Sequence, residues 1–135
     1  MCSSDLGLRT VSVDGRPLSD AGASDVQELG VALSTGVAWL RLLTDAGLDV
    51  TTAAQQIEFT LTVGPDQFAS IAKLRAARTC WSRILSAAGG HPDDAPMALH
   101  ATTAWVMFTQ RDPWVNMLRC TMACFSAAEI GRAHV

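Results

Sequence analysis

The chain has 135 residues, the size of one ordinary domain, with 49% hydrophobic and 17% charged residues, a balance that excludes disorder. Ten basic against thirteen acidic residues give a formal charge of −3, so no basic excess exists to neutralise a phosphate backbone. No apolar run approaches the ~20 residues of a membrane span, no secretory leader is expected, and the composition reads as cytoplasmic.

In chain order, 8–13 (LRTVSV) is short, β-branched and alternating, which predicts a strand. Gly15, Pro17 and Gly22 mark 14–22 as a loop. Ser24 followed three residues later by Gln27 is a capping box, and Val26, Leu29, Leu33, Val37 and Leu40 then recur at helical spacing, with Gly47 as the stop. Thr51 or Thr52 is expected to cap a short helix to about Gln55. The run 57–63 (IEFTLTV) predicts a second strand, broken by Gly64-Pro65. Asp66 opens a long helix to about Ala88, with Phe68, Ile71, Leu74, Trp81 and Ile84 on its inner side. A loop over 89–96, a third strand over 97–103 and a last helix from about Trp114 complete the order, with Asp112 as N-cap and Pro113 at the first helical position.

Strands alternating with helices imply an α/β fold with a parallel sheet. A complete (β/α)8 TIM barrel needs roughly 250 residues. The expectation is therefore a partial barrel of about three β/α units. No glycine-rich phosphate fingerprint follows the first strand.

The residues offer few chemical candidates. His100 on the third strand reads either as a satisfied core histidine or as a hydrogen-bond donor or acid-base group facing a barrel mouth. Cys120 and Cys124 share a helix face, but nothing completes a metal site, and with Cys80 they read as small buried hydrophobes. Lys73, Arg75, Arg78 and Arg83 give the second long helix a basic side that is either solvated or turned to a phosphate-bearing ligand such as an acyl-CoA. Trp39, Trp81, Trp105 and Trp114 read as core or interface anchors, and His91 as a solvent-facing loop residue.

The two ends, MCSSDL and EIGRAHV, are related as opposite strands of one back-translated oligonucleotide that resembles a sequencing-library adapter. Residues 1–6 and 129–135 are therefore expected to be adapter scars around a domain piece at 7–128.

Four stretches taken together are specific: GRPLSDAGASDVQELG (15–30), DQFASIAKLRAAR (66–78), the strand around His100, and RDPWVNMLRCTMACF (111–125). In order and spacing they resemble the acyl-CoA-binding barrel of the methylmalonyl-CoA mutase family, over essentially all of 8–128. The wording of the last stretch is similar to the small, non-catalytic subunit of the bacterial heterodimers. The resemblance implies an isomerase complex that interconverts methylmalonyl-CoA and succinyl-CoA with adenosylcobalamin. It also implies a catalytic subunit as partner and a cobalamin domain elsewhere, with no cofactor or metal ligand in this segment.

Catalytic members carry Tyr-His after the first of these strands, where this chain has Arg16 and Pro17. Their His-x-Gln pattern is here His100-Ala101-Thr102, so the histidine is kept and the glutamine position is Thr102. Their CoA-contacting Arg-x-Ser is here Gln56-Ile57-Glu58, with a negative charge at Glu58. Departures at three patterns imply a subunit that kept the fold and lost the site, with His100 a relic. The alternative is a catalytic mutase of altered specificity that uses His100 on the thioester.

Overall fold

The structure is a computed structural model that describes residues 9–130 and the backbone of 133–134. Residues 1–6, and 131, 132 and 135 of the expected tail scar, lie outside the described residues, as does Leu8 of the first predicted strand. The elements are β1 (Val11–Asp14), α1 (Arg16–Asp20), α2 (Asp25–Asp45), α3 (Val50–Gln55), β2 (Ile57–Val63), α4 (Gln67–Ala87), β3 (Ala98–Thr103), α5 (Pro113–Ala128) and β4 (Ala133–His134). The sheet order is β1-β2-β3-β4, and every neighbouring pair is parallel. Helices connect the parallel strands, as the geometry of such crossovers demands. The expected mixed α/β fold, a partial β/α barrel, is the fold found.

β2 is an inner strand, and its pairing with β1 and β3 fixes the register. Asp14 pairs with Thr60, Thr60 with His100, and Thr62 with Thr102. Alternation along β2 puts Ile57, Phe59, Leu61 and Val63 on one face and Glu58, Thr60 and Thr62 on the other. Phe59 packs edge-on against Trp81 of α4, with ring centroids 4.8 Å apart. Both rings are buried, together with Leu61, Leu74, Leu85 and Leu99.

The starts of α2 and α4 follow the sequence, and α5 starts at Pro113 after Asp112 as expected, although the Asp112 side chain makes no cap bond. Ser24 accepts from the Gln27 N–H while the Gln27 side chain accepts from the Ser24 N–H, so the capping box is complete. Asp66 caps α4 by accepting from the Ala69 N–H at 3.0 Å. The short helix α3 is capped by Asp49 rather than by Thr51 or Thr52: its carboxylate accepts the Thr52 N–H at 3.0 Å. The predicted loop 14–22 contains α1, a five-residue helix with Pro17 in its first turn, where no backbone bond is lost. Gly47, at φ +99°, ends α2 as expected.

Two predicted helix faces hold in part: Leu40 of α2 and Leu74 and Trp81 of α4 are buried as expected, while their first residues are not. α2 buries Glu28, Ala32, Gly36 and Leu40, while Val26 is 80% exposed. Leu29 and Leu33 sit on the flank of the core, half-buried. The sheet side of α2 takes small residues because Phe59 and Trp81 already fill the space in front of Gly36. α4 likewise buries Ser70, Lys73, Leu74, Ala77, Trp81 and Leu85, and Phe68 is 81% exposed. Cys80 and Cys120 are half-buried, but Cys124 is exposed and is no core residue. Of the four tryptophans only Trp81 is a core anchor. His91 is exposed in its loop, as expected.

Candidate functional site

In a β/α unit the residues that follow the C-terminal ends of the strands are the ones placed to act together. Here those ends are Asp14 of β1, Val63 of β2 and Thr103 of β3. Directly after β1, Arg16 folds back onto Asp14. Its Nε and one terminal nitrogen donate to the two carboxylate oxygens at 2.7–3.0 Å, and its backbone N–H donates to Oδ1 at 2.9 Å. These bonds hold the Asp14 carboxyl below its ordinary range and raise the Arg16 guanidinium. Pro17 follows, exposed, with no side-chain donor. Thr102 lies one residue before the end of β3, half-buried beside Thr62.

His100 sits two residues deeper, half-buried and in register with Thr60. With Arg9, Glu58 and Leu99 it lines a recess of about 160 Å³. Glu58 lies 3.9 Å from the Arg9 guanidinium, so its charge has a cation nearby. Gln56 is buried at the start of β2; its side chain accepts from the Thr10 hydroxyl at 3.4 Å, and its carbonyl accepts the Val11 N–H at 3.1 Å. The sequence-derived positions thus divide in two. Arg16, Pro17 and Thr102 are at the C-terminal end of the sheet, and Gln56, Glu58 and His100 are toward its N-terminal half. A separate recess of about 350 Å³ at the C-terminal end is lined by Ser19, Thr62, Ser70, Ala104 and Met107 among others, with no histidine or cysteine.

The basic side expected for α4 does not exist as one surface. Lys73 is buried and ion-paired with Glu28 at 2.5 Å and Asp25 at 2.8 Å. Arg78 donates to the Ile130 carbonyl at 2.8 Å. Only Arg75 and Arg83 are exposed.

Sequence reasoning also missed what the 111–125 stretch does. Asn116 accepts the Thr109 N–H at 3.0 Å and donates to the Thr109 carbonyl at 2.8 Å, and Arg119 donates to the Met107 carbonyl. The stretch therefore clamps the connection between β3 and α5. The signal for it was Asn and Arg three residues apart on one helix face. Among the described residues no three His, Cys, Asp or Glu side chains gather to hold a metal ion, and no helix is long and apolar enough to cross a membrane.

Parallel strands with helical crossovers define part of a β/α-barrel protein. The chain belongs to the methylmalonyl-CoA mutase family: the family model described as methylmalonyl-CoA mutase matches residues 2–134. It is 52% identical over 121 residues, 90% of this chain and 20% of the relative, to a methylmalonyl-CoA mutase small subunit of Streptomyces virginiae. It is 42% identical over 127 residues, 94% of this chain and 20% of the relative, to the small subunit of Propionibacterium freudenreichii. Against a methylmalonyl-CoA mutase large subunit of Porphyromonas gingivalis identity falls to 32% over 122 residues, 90% of this chain and 17% of the relative. The chain spans about a fifth of the length of the curated small subunits it matches.

Proposed function

We propose that residues 7–128 are a piece of the acyl-CoA mutase barrel of a non-catalytic small subunit. Its role is to stabilise a catalytic subunit that isomerises methylmalonyl-CoA and succinyl-CoA in the cytoplasm. Adenosylcobalamin would be held elsewhere in that complex. The observation that carries the reading is the end of β1, where Arg16 is closed onto Asp14 and Pro17 offers no hydrogen bond to a thioester. The higher identity to small subunits than to a large subunit supports it. Glu58 stands where the resemblance expects a CoA-contacting serine, and its carboxylate lies 3.9 Å from the Arg9 guanidinium instead.

The rival reading keeps His100 as a catalytic group in an altered mutase. It is supported by the half-exposed position of His100 on its recess. The two are separated with the full-length subunit, purified alone and with a catalytic partner. The non-catalytic reading expects no turnover by the subunit alone, and raised stability of the partner in the complex. Turnover by the subunit alone, abolished by His100→Ala, would establish the rival.

Residues 1–6 and 129–135 are proposed to be adapter-derived. The source nucleotide sequence decides it: codons that do not spell the two strands of one oligonucleotide would reject the proposal.

A further inference from the structure

The last ladder bond between β1 and β2 is the Gly15 N–H to the Thr60 carbonyl at 2.9 Å. Beyond it β1 turns into α1, and the Thr62 N–H is left facing a gap at the C-terminal end of the sheet. That gap is filled from α2. Glu28 Oε1 accepts the Thr62 N–H at 2.8 Å, and Oε2 accepts the Thr62 hydroxyl at 2.7 Å and the Lys73 ammonium at 2.5 Å. Lys73 spends its remaining donors on Asp25 at 2.8 Å and the Thr62 hydroxyl at 3.3 Å. The Lys73 and Glu28 side chains are 2% and 1% exposed. Position 15 is shaped around the same carboxylate, since a Cβ there would meet Glu28 Oε1 at 2.6 Å.

A backbone N–H, a hydroxyl and an ammonium converging on two oxygens form a receptor for a carboxylate, built from two elements other than the one that supplies the carboxylate. We propose that Thr62 and Lys73 constitute a small-carboxylate binding site at the C-terminal end of β2, occupied in the folded chain by Glu28 acting as a tethered ligand. The site is complete without Glu28. Its donors come from β2 and α4, and Asp25 and the β2 backbone hold Lys73 and Thr62 in place. In an emptied site Lys73 keeps Asp25 but loses its buried partner, and the Thr62 N–H is left without an acceptor; both are unfavourable, so the emptied site recruits an anion of the right shape.

Glu28→Ala removes Cγ and the carboxyl group, which together correspond to one acetate ion. The test is the thermal midpoint of the 135-residue Glu28→Ala chain, titrated with sodium acetate and, at matched ionic strength, with sodium chloride. Acetate is expected to raise the midpoint saturably, by roughly 3–8 °C at about ten times its dissociation constant. It should leave the parent chain unmoved, and the gain should disappear in Glu28→Ala/Lys73→Met. Should Glu28→Ala not fold unaided, the same titration is read as recovery of helical circular dichroism, expected with acetate and not with chloride. The proposal is overturned if acetate and chloride act alike, if acetate shifts the parent equally, or if the gain survives loss of the Lys73 ammonium.

Discussion

Replacing Gly36 by alanine adds one methyl group to the middle of α2, in front of two buried rings. The new Cβ would lie 2.6 and 2.8 Å from Cζ and Cε1 of Phe59 and 3.1 Å from Cζ3 of Trp81. Phe59 has no room to retreat, because it is fully buried and braced edge-on by Trp81. Overpacking of this kind costs about 1–3 kcal/mol, while alanine in place of glycine inside a helix returns about 1 kcal/mol. The net expectation is a loss of roughly 0–2 kcal/mol. Gly30 is the internal control. It lies on the same helix with nothing within 4 Å of its added Cβ, so Gly30→Ala collects the helix term alone. Urea unfolding of the two variants, followed by circular dichroism in dilute solution, should separate them by about 1–3 kcal/mol. Adding Phe59→Leu, which removes the clashing ring atoms, should erase most of that gap in a double-mutant cycle. Equal stabilisation by both alanines would refute the close approach of α2 to β2.

Lys73→Met leaves the Glu28 carboxylate buried without a cation and should cost about 3–5 kcal/mol, more than the Glu28→Gln/Lys73→Met pair in the same urea assay; equal losses would contradict it. The Asp14 carboxyl is held low by its bonds from Arg16, and that of Asp49 by its bonds from Thr52. Their contributions should therefore be fully present above the unfolded carboxylate value of about 3.9 and lost as pH falls through the lower folded values. Asp14→Asn/Asp49→Asn should flatten the acid limb of stability against pH, and an unchanged limb would count against these bonds. Trp114 is 77% and Leu118 64% exposed on α5, and Trp105 and Phe108 of the β3–α5 connection are exposed as well. The isolated chain should associate as concentration rises, and Trp114→Glu/Leu118→Glu should shift it toward monomer in size exclusion. A chain monomeric at every concentration would contradict that surface.

The parts of the fold legible in the sequence are those decided locally. β2 could be placed to the residue because 57–63 is rich in β-branched and aromatic residues and is closed by Gly64-Pro65. α2 could be started correctly because Ser24 and Gln27 satisfy each other within one turn. The five-residue α1 carries too few positions to show a period. The buried faces of α2 and α4 were legible only in part: Leu40, Leu74 and Trp81 are buried as read, but Val26 and Phe68 fit the same helical stripe and are exposed, and the partners that select Gly36, Ala32 and Ala77 come from elsewhere in the chain. Burial of Glu28 and Lys73 was illegible for the same reason. Each reads as a solvated helix charge until Thr62 and the other helix, 45 residues away, are brought to it. The positions carried over by resemblance could be named, but not their division between the two ends of the sheet, which depends on register.

The all-parallel pairing also sets an order in time. β1 finds its partner strand only 46 residues further along the chain, and every later pair again waits for a whole helix to be made. At synthesis rates of about 5–20 residues per second, β1 spends roughly 2–9 s outside the ribosome with no sheet to join. During that interval α2, whose capping box is local, is the one long element able to form, and a nascent helix already carrying Glu28 is in place before Thr62 emerges to meet it.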